Sequence, residues 1–125
     1  GRPGSFQLQA AISAIHIEAP DFQATRWDEI ALIYDRLFEL APNPVVALNH
    51  AVALSFARGP CVGLARLPEG LENYQSLHAA RADMLRRLGR IPEARAAYDR
   101  ALALTGNAAD RLLLEERRDA LDAPP

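Results

Sequence analysis

The chain has 125 residues and carries 14 Arg, no Lys and 16 acidic residues, for a formal net charge of -2. Ala (24) and Leu (18) dominate, whereas Val, Ile and Thr total only 12, too few β-branched residues for a large sheet. There is no basic excess to grip a nucleic acid, the single Cys61 cannot close an intramolecular disulfide, and no apolar run approaches the roughly 20 residues that span a bilayer.

Ala, Leu, Arg and Glu are strong helix formers, so the chain reads as all-α. Leu8, Ile12, Ile15 and Ala19 line one face of a first helix, which Pro20 ends. Thr25 stands three residues before Asp28, a capping-box pattern that predicts a second helix. Trp27, Ile30, Tyr34 and Leu37 form its inner face, Ile33, Phe38 and Leu40 widen it, and Pro42 closes it. Asn43 is placed to cap a third helix, with Pro44 at the first helical position. Its stripe is Val45, Leu48, Val52 and Phe56, and Arg58-Gly59-Pro60 ends it. Cys61 to Leu67 is a short apolar stretch before a turn at Pro68 to Gly70.

A helix from Leu71 to Leu88 then carries Tyr74, Leu77, Met84, Leu85 and Leu88, and Gly89 stops it. Pro92 opens the next helix, whose inner face is Ala94, Ala97, Tyr98, Ala101 and Leu102. After Gly106, Asn107 and Asp110 cap a last helix through Leu121, leaving residues 122–125 as a frayed tail.

The spacing Ala94-x3-Tyr98-x2-Ala101-x4-Gly106 resembles the second half of a tetratricopeptide repeat. Ile30-x3-Tyr34-x2-Leu37-x4-Pro42 fits the same template with bulkier side chains. Pro42 and Gly106 are 64 positions apart, close to two repeats of about 34 residues. The middle unit is degenerate, because Cys61 to Leu67 is too short for a full second helix. The expected fold is therefore a tetratricopeptide-like array of about six antiparallel helices with a concave binding face. The alternative is an ordinary antiparallel bundle.

Catalytic signals are thin. No GxGxxG, GxSxG, HExxH or GxxxxGK motif occurs, and Glu115 and Glu116 are adjacent on a helix and point apart. The expectation is a non-enzymatic domain with no cofactor and no metal. Cys61, with no nearby His, reads as a small buried hydrophobe. Arg81, Arg86, Arg87, Arg90, Arg95 and Arg100 form a local basic cluster interleaved with Asp83, Glu93 and Asp99. A solvated, salt-bridged face is expected there, with docking against an acidic partner as the alternative. Asn49 and His50 sit mid-helix among apolar residues, where an unpaired amide is costly if buried. They either bond across to a neighbouring helix or line the concave face.

Four stretches together resemble a known family. They are Gly4-Ser-Phe-Gln-Leu-Gln-Ala-Ala-Ile12 with His16, Trp27 to Tyr34, Pro44-Val-Val-Ala-Leu-Asn-His-Ala-Val52, and His78-Ala-Ala-Arg-Ala-Asp-Met-Leu-Arg-Arg-Leu-Gly89. In this order and spacing they resemble the C-terminal tetratricopeptide-like extension of extracytoplasmic-function RNA polymerase sigma factors. The likeness runs from about Gly4 to Leu121, with His50 standing where the family often carries Arg.

The resemblance implies a single helical-repeat domain over residues 1–125, a piece of a longer sigma factor, in keeping with a first residue that is not Met. It implies a cytoplasmic regulatory and protein-interaction domain in transcription initiation. The implied partners are the sigma core domains of the same full-length protein, RNA polymerase or a partner regulatory protein. The promoter-reading and polymerase-binding helices are not evident in this sequence. No direct nucleic acid contact and no membrane association are expected of it. The candidate contact residues are Gln7, Gln9, His16, Asn49, His50, His78, Arg81 and Asp83, polar side chains on or beside apolar helices. The second reading is a sensor domain, with a small ligand or metal in a concavity lined by His16, His50 and His78.

Overall fold

The structure, a computed structural model, describes residues 26–122. The expected first helix, Thr25, and the candidates Gln7, Gln9 and His16 lie outside the described residues. Within them the fold is all-α, with six helices and no strand. In chain order these are α1 (Trp27–Leu40), α2 (Pro44–Ala57), α3 (Pro60–Ala65), α4 (Gln75–Arg87), α5 (Ile91–Leu104) and α6 (Ala108–Ala120). The chain divides into two compact units, residues 1–68 and 69–125.

In the first unit α1 packs on α2, and α2 on α3. Arg26 takes the N-cap position of α1 and makes no side-chain cap hydrogen bond, which puts Asp28 at the second helical position and not at the third, where a capping box needs it. Ile30, Ala31 and Leu37 are buried, and the Trp27 and Phe56 rings pack with centroids 4.6 Å apart. Phe38 and Leu40, expected to widen the inner face, are exposed.

The cap on α2 is as predicted: the Asn43 Oδ1 accepts from the Val46 N–H at 3.0 Å, with Pro44 in the first turn. Its predicted stripe is only partly buried. Val46, Leu48, Ala51, Ala53, Leu54 and Ser55 are buried, whereas Val45 is exposed and Val52 and Phe56 are half-buried. Two helices cover α2, so its buried surface is wider than a single stripe. The stretch read as merely apolar is the six-residue helix α3. It approaches α2 closely at Gly63, where an added Cβ would lie 2.4 Å from the Ser55 Cβ and 2.8 Å from the Ala51 carbonyl oxygen.

In the second unit α4 begins at Gln75, later than the apolar pattern suggests. Residues 71–74 form a turn in which the Tyr74 N–H donates to the Leu71 carbonyl at 2.9 Å, and this leaves Tyr74 exposed. Leu77, Ala82, Met84 and Leu85 are buried, while Leu88 is exposed. Gly89 ends the helix at φ 78°, a left-handed conformation suited to glycine, and the Arg90 N–H returns to the Leu85 carbonyl at 2.9 Å.

The whole predicted inner face of α5, Ala94, Ala97, Tyr98, Ala101 and Leu102, is buried. Small residues let the backbones of α4 and α5 approach, and Tyr98 fills the space between. The Asn107 Oδ1 caps α6, accepting from the Ala109 and Asp110 N–H groups at 2.8 and 3.1 Å. Asp122, expected to fray, is held by an ion pair with Arg95; residues 123–125 lie outside the described part. Among the described residues, no helix is long and apolar enough to cross a membrane.

Candidate functional site

Among the described residues, each unit carries a concavity built from charged side chains on an apolar floor. In the first unit a cavity of about 350 Å³ is lined by Asp28, Ala31, Leu32 and Asp35 of α1 and by His50, Leu54 and Ala57 of α2, with Arg58 and Arg66. Asp28 and Asp35 are seven residues apart, two turns on one side of α1. Arg58 and Arg66 are the C-cap residues of α2 and α3. Burial lowers the His50 pKa below its ordinary 6.5; Asp35 opposes that shift, while Arg66 and Arg58 add to it. The imidazole is therefore neutral at pH 7.

The second concavity is a shallow groove between α4 and α5, lined by His78, Arg81, Leu85, Glu93, Ala96, Ala97 and Arg100. The His78 Nε2 is 2.8 Å from the Glu72 carbonyl oxygen, which fixes the ring. Glu93 is engaged by two hydrogen bonds from Arg90. The expected salt-bridged face is present around this groove. Asp83 accepts from Arg86 at 2.7 Å and Arg87 at 3.2 Å, Asp99 accepts from Arg118 at 2.9 Å, and Arg95 pairs with Asp122. Arg81 and Arg100 stand apart, with no carboxylate partner among the described residues. The polar contact of Arg100 is to the Glu72 carbonyl at 3.5 Å.

The predicted candidates are therefore dispersed. His78 and Arg81 share the groove of the second unit, and His50 lines the cavity of the first. Asp83 serves the ion pairs with Arg86 and Arg87 instead of a concavity. Asn49 is half-buried and makes no side-chain hydrogen bond among the described residues. Cys61, read as buried, is exposed. Its helix is short and packs on α2 through Gly63, which turns position 61 outward.

Sequence reasoning passed over Asp35, Arg58 and Arg66 as site residues, gave Asp28 only a capping role, and named Arg100 only as a member of the basic cluster. The i, i+7 spacing of the two aspartates was the available signal for one side of the cavity. His50 and His78 belong to different units, and no group of three or more potential metal ligands occurs among the described residues.

Over 127 aligned positions the chain is 46% identical to "Uncharacterized protein R00370" of Rhizobium meliloti (strain 1021). The alignment takes in 99% of this chain and 30% of the relative, so the chain spans less than a third of the relative's length. No family model and no solved structure matches it.

Proposed function

We propose that this chain is the C-terminal regulatory and protein-interaction domain of an extracytoplasmic-function RNA polymerase sigma factor, acting in transcription initiation without itself contacting DNA. The sequence resemblance motivates this reading, and the groove on α4 and α5 is the observation that carries its interaction side. There Arg86, Arg87, Arg90 and Arg95 have carboxylate partners, whereas Arg81 and Arg100 do not. Two planar guanidinium forks beside His78, above an alanine floor, suit carboxylates on an acidic segment of a partner protein. The length of the Rhizobium relative, most of which lies outside the aligned region, is compatible with such a domain working as one part of a longer protein. In this role it acts in the cytoplasm, on its own sigma core, on polymerase or on a partner regulator, and no catalytic step is assigned to it.

The test is a binding titration of the purified chain against sigma core, RNA polymerase and promoter DNA, at low and high salt. The expected result is salt-sensitive binding to one of the two proteins, none to DNA, and a loss of about tenfold or more in the double variant Arg81→Glu, Arg100→Glu. Both side chains are exposed, so the variant should keep its helix content. Binding to promoter DNA, or protein binding indifferent to both reversals, refutes the proposed site.

A further inference from the structure

The acids of α1 fall into two groups. Glu29 pairs with Arg26 at 3.6 Å and Glu39 with Arg36 at 2.6 Å, local contacts of the kind that solvate a helix surface. Asp28 and Asp35 do otherwise. Both line the first unit's cavity together with Arg58 and Arg66, yet none of the four forms an ion pair or side-chain hydrogen bond among the described residues. Opposite charges thus share one concavity of about 350 Å³ without neutralising each other directly. A ligand bearing a single charge would be attracted by half of this lining and repelled by the rest. A ligand bearing both signs satisfies each half at once. Leu54 on the floor and Leu32, which is 67% exposed at the rim, add apolar surface that water covers poorly.

We propose that this cavity binds an apolar zwitterion, either a free aliphatic amino acid or a short aliphatic peptide, with Asp28 and Asp35 accepting from its ammonium and Arg58 and Arg66 donating to its carboxylate. The volume suits a small molecule of this kind. His50, neutral at pH 7, contributes a donor and an acceptor without tipping the charge balance. The inference concerns the first unit and is independent of the partner groove in the second.

Calorimetric titration of the intact 125-residue chain tests it with four probes: leucine, leucyl-leucine, N-acetylleucine, which lacks the ammonium, and leucinamide, which lacks the carboxylate. At least one zwitterion should bind, and both singly charged analogues should bind it about tenfold more weakly or worse. Binding of leucine identifies the amino acid as the ligand, and binding of the dipeptide alone identifies the peptide. Asp35→Asn and Arg66→Gln should each weaken the bound zwitterion about tenfold, with helix content checked by circular dichroism. Absence of binding by either zwitterion up to about 10 mM overturns the proposal, that affinity being the floor for a specific small-molecule site. So does equal binding of N-acetylleucine or leucinamide, or affinity unchanged in both variants. The comparison of analogues on the unaltered chain decides the matter even where a variant fails to fold.

Discussion

Gly63 lies so close to Ser55 that a methyl group at position 63 would stand 2.4 Å from the Ser55 Cβ. The second obstacle is the Ala51 carbonyl oxygen at 2.8 Å, and neither is the end of a flexible side chain. Gly63→Ala gains up to about 1 kcal/mol of helix propensity, but it forces α3 away from α2 at an overpacking cost of about 1–3 kcal/mol. The cost should win, because Ser55 is buried and has nowhere to retreat. Urea denaturation should show Gly63→Ala less stable than the parent chain, and the exposed Cys61→Ala within about 0.5 kcal/mol of it. A neutral Gly63→Ala would mean that α3 is not docked this tightly.

The two asparagine caps make a paired prediction. Asn43 accepts one N–H at the start of α2, and Asn107 accepts two at the start of α6. Replacement of either by Ala should cost about 1 kcal/mol, and replacement by Asp should restore most of it, since a carboxylate accepts the same bonds and favours the positive end of the helix dipole. Denaturation midpoints of the four single variants check this. Equal losses in the Ala and Asp variants would contradict it.

The caps and the Ala-rich face of α5 were legible in the sequence because both are local. An asparagine before a proline-led helix, and small residues at helical spacing, specify their roles within a few positions. The face of α2 was not legible, since its burial depends on two neighbours at once and Val46 and Ser55 fall off the single stripe. The first cavity was hidden for a similar reason. Asp28 reads in the sequence only as a capping-box residue and Asp35 carries no signal of its own; their place at a cavity depends on α2 and α3 bringing Arg58 and Arg66 to the same concavity. Of the polar candidates, His50, His78 and Arg81 reach a concavity, while Asp83 is spent on its own helix neighbours.

Tyr98 separates ring packing from hydroxyl chemistry. Its ring is 1% exposed in the core of the second unit, and its hydroxyl is buried near the Arg86 guanidinium without reaching hydrogen-bond geometry. Burial also raises the phenol's pKa, so the group stays neutral throughout the physiological range. Removing a hydroxyl that makes no good bond should be nearly free, whereas removing the ring opens a cavity. Tyr98→Phe should therefore lie within about 0.5 kcal/mol of the parent chain or stabilise it. Tyr98→Ala should cost about 3–5 kcal/mol. A penalty above about 1.5 kcal/mol for Tyr98→Phe would show that the hydroxyl does bond to Arg86 in solution.

His50 gives the chain a dependence on pH whose direction follows from its surroundings. Burial holds its pKa below 6.5, with Asp35 pulling the other way and Arg66 and Arg58 reinforcing the shift; Asp28 is the remaining charged group lining the same cavity. Well above pH 6.5 the imidazole is neutral in the folded and unfolded chains alike, and it adds no slope to stability. Between 6.5 and the lower folded value, the unfolded chain binds a proton that the folded chain does not, so stability falls as the pH falls. Below the folded value both states are protonated and the slope vanishes. Asp122 and Glu72, whose pKa values are lowered on folding, also lose stability in acid, so the measurement must be a difference. The stability of the parent chain minus that of His50→Gln should be level above about pH 7 and should decline from there toward about pH 5.5, because the glutamine variant lacks only this titration. A difference that stays level over this range would place the His50 imidazole in water and not against the cavity wall, and one that rises in acid would mean that Asp35 outweighs burial and the two arginines.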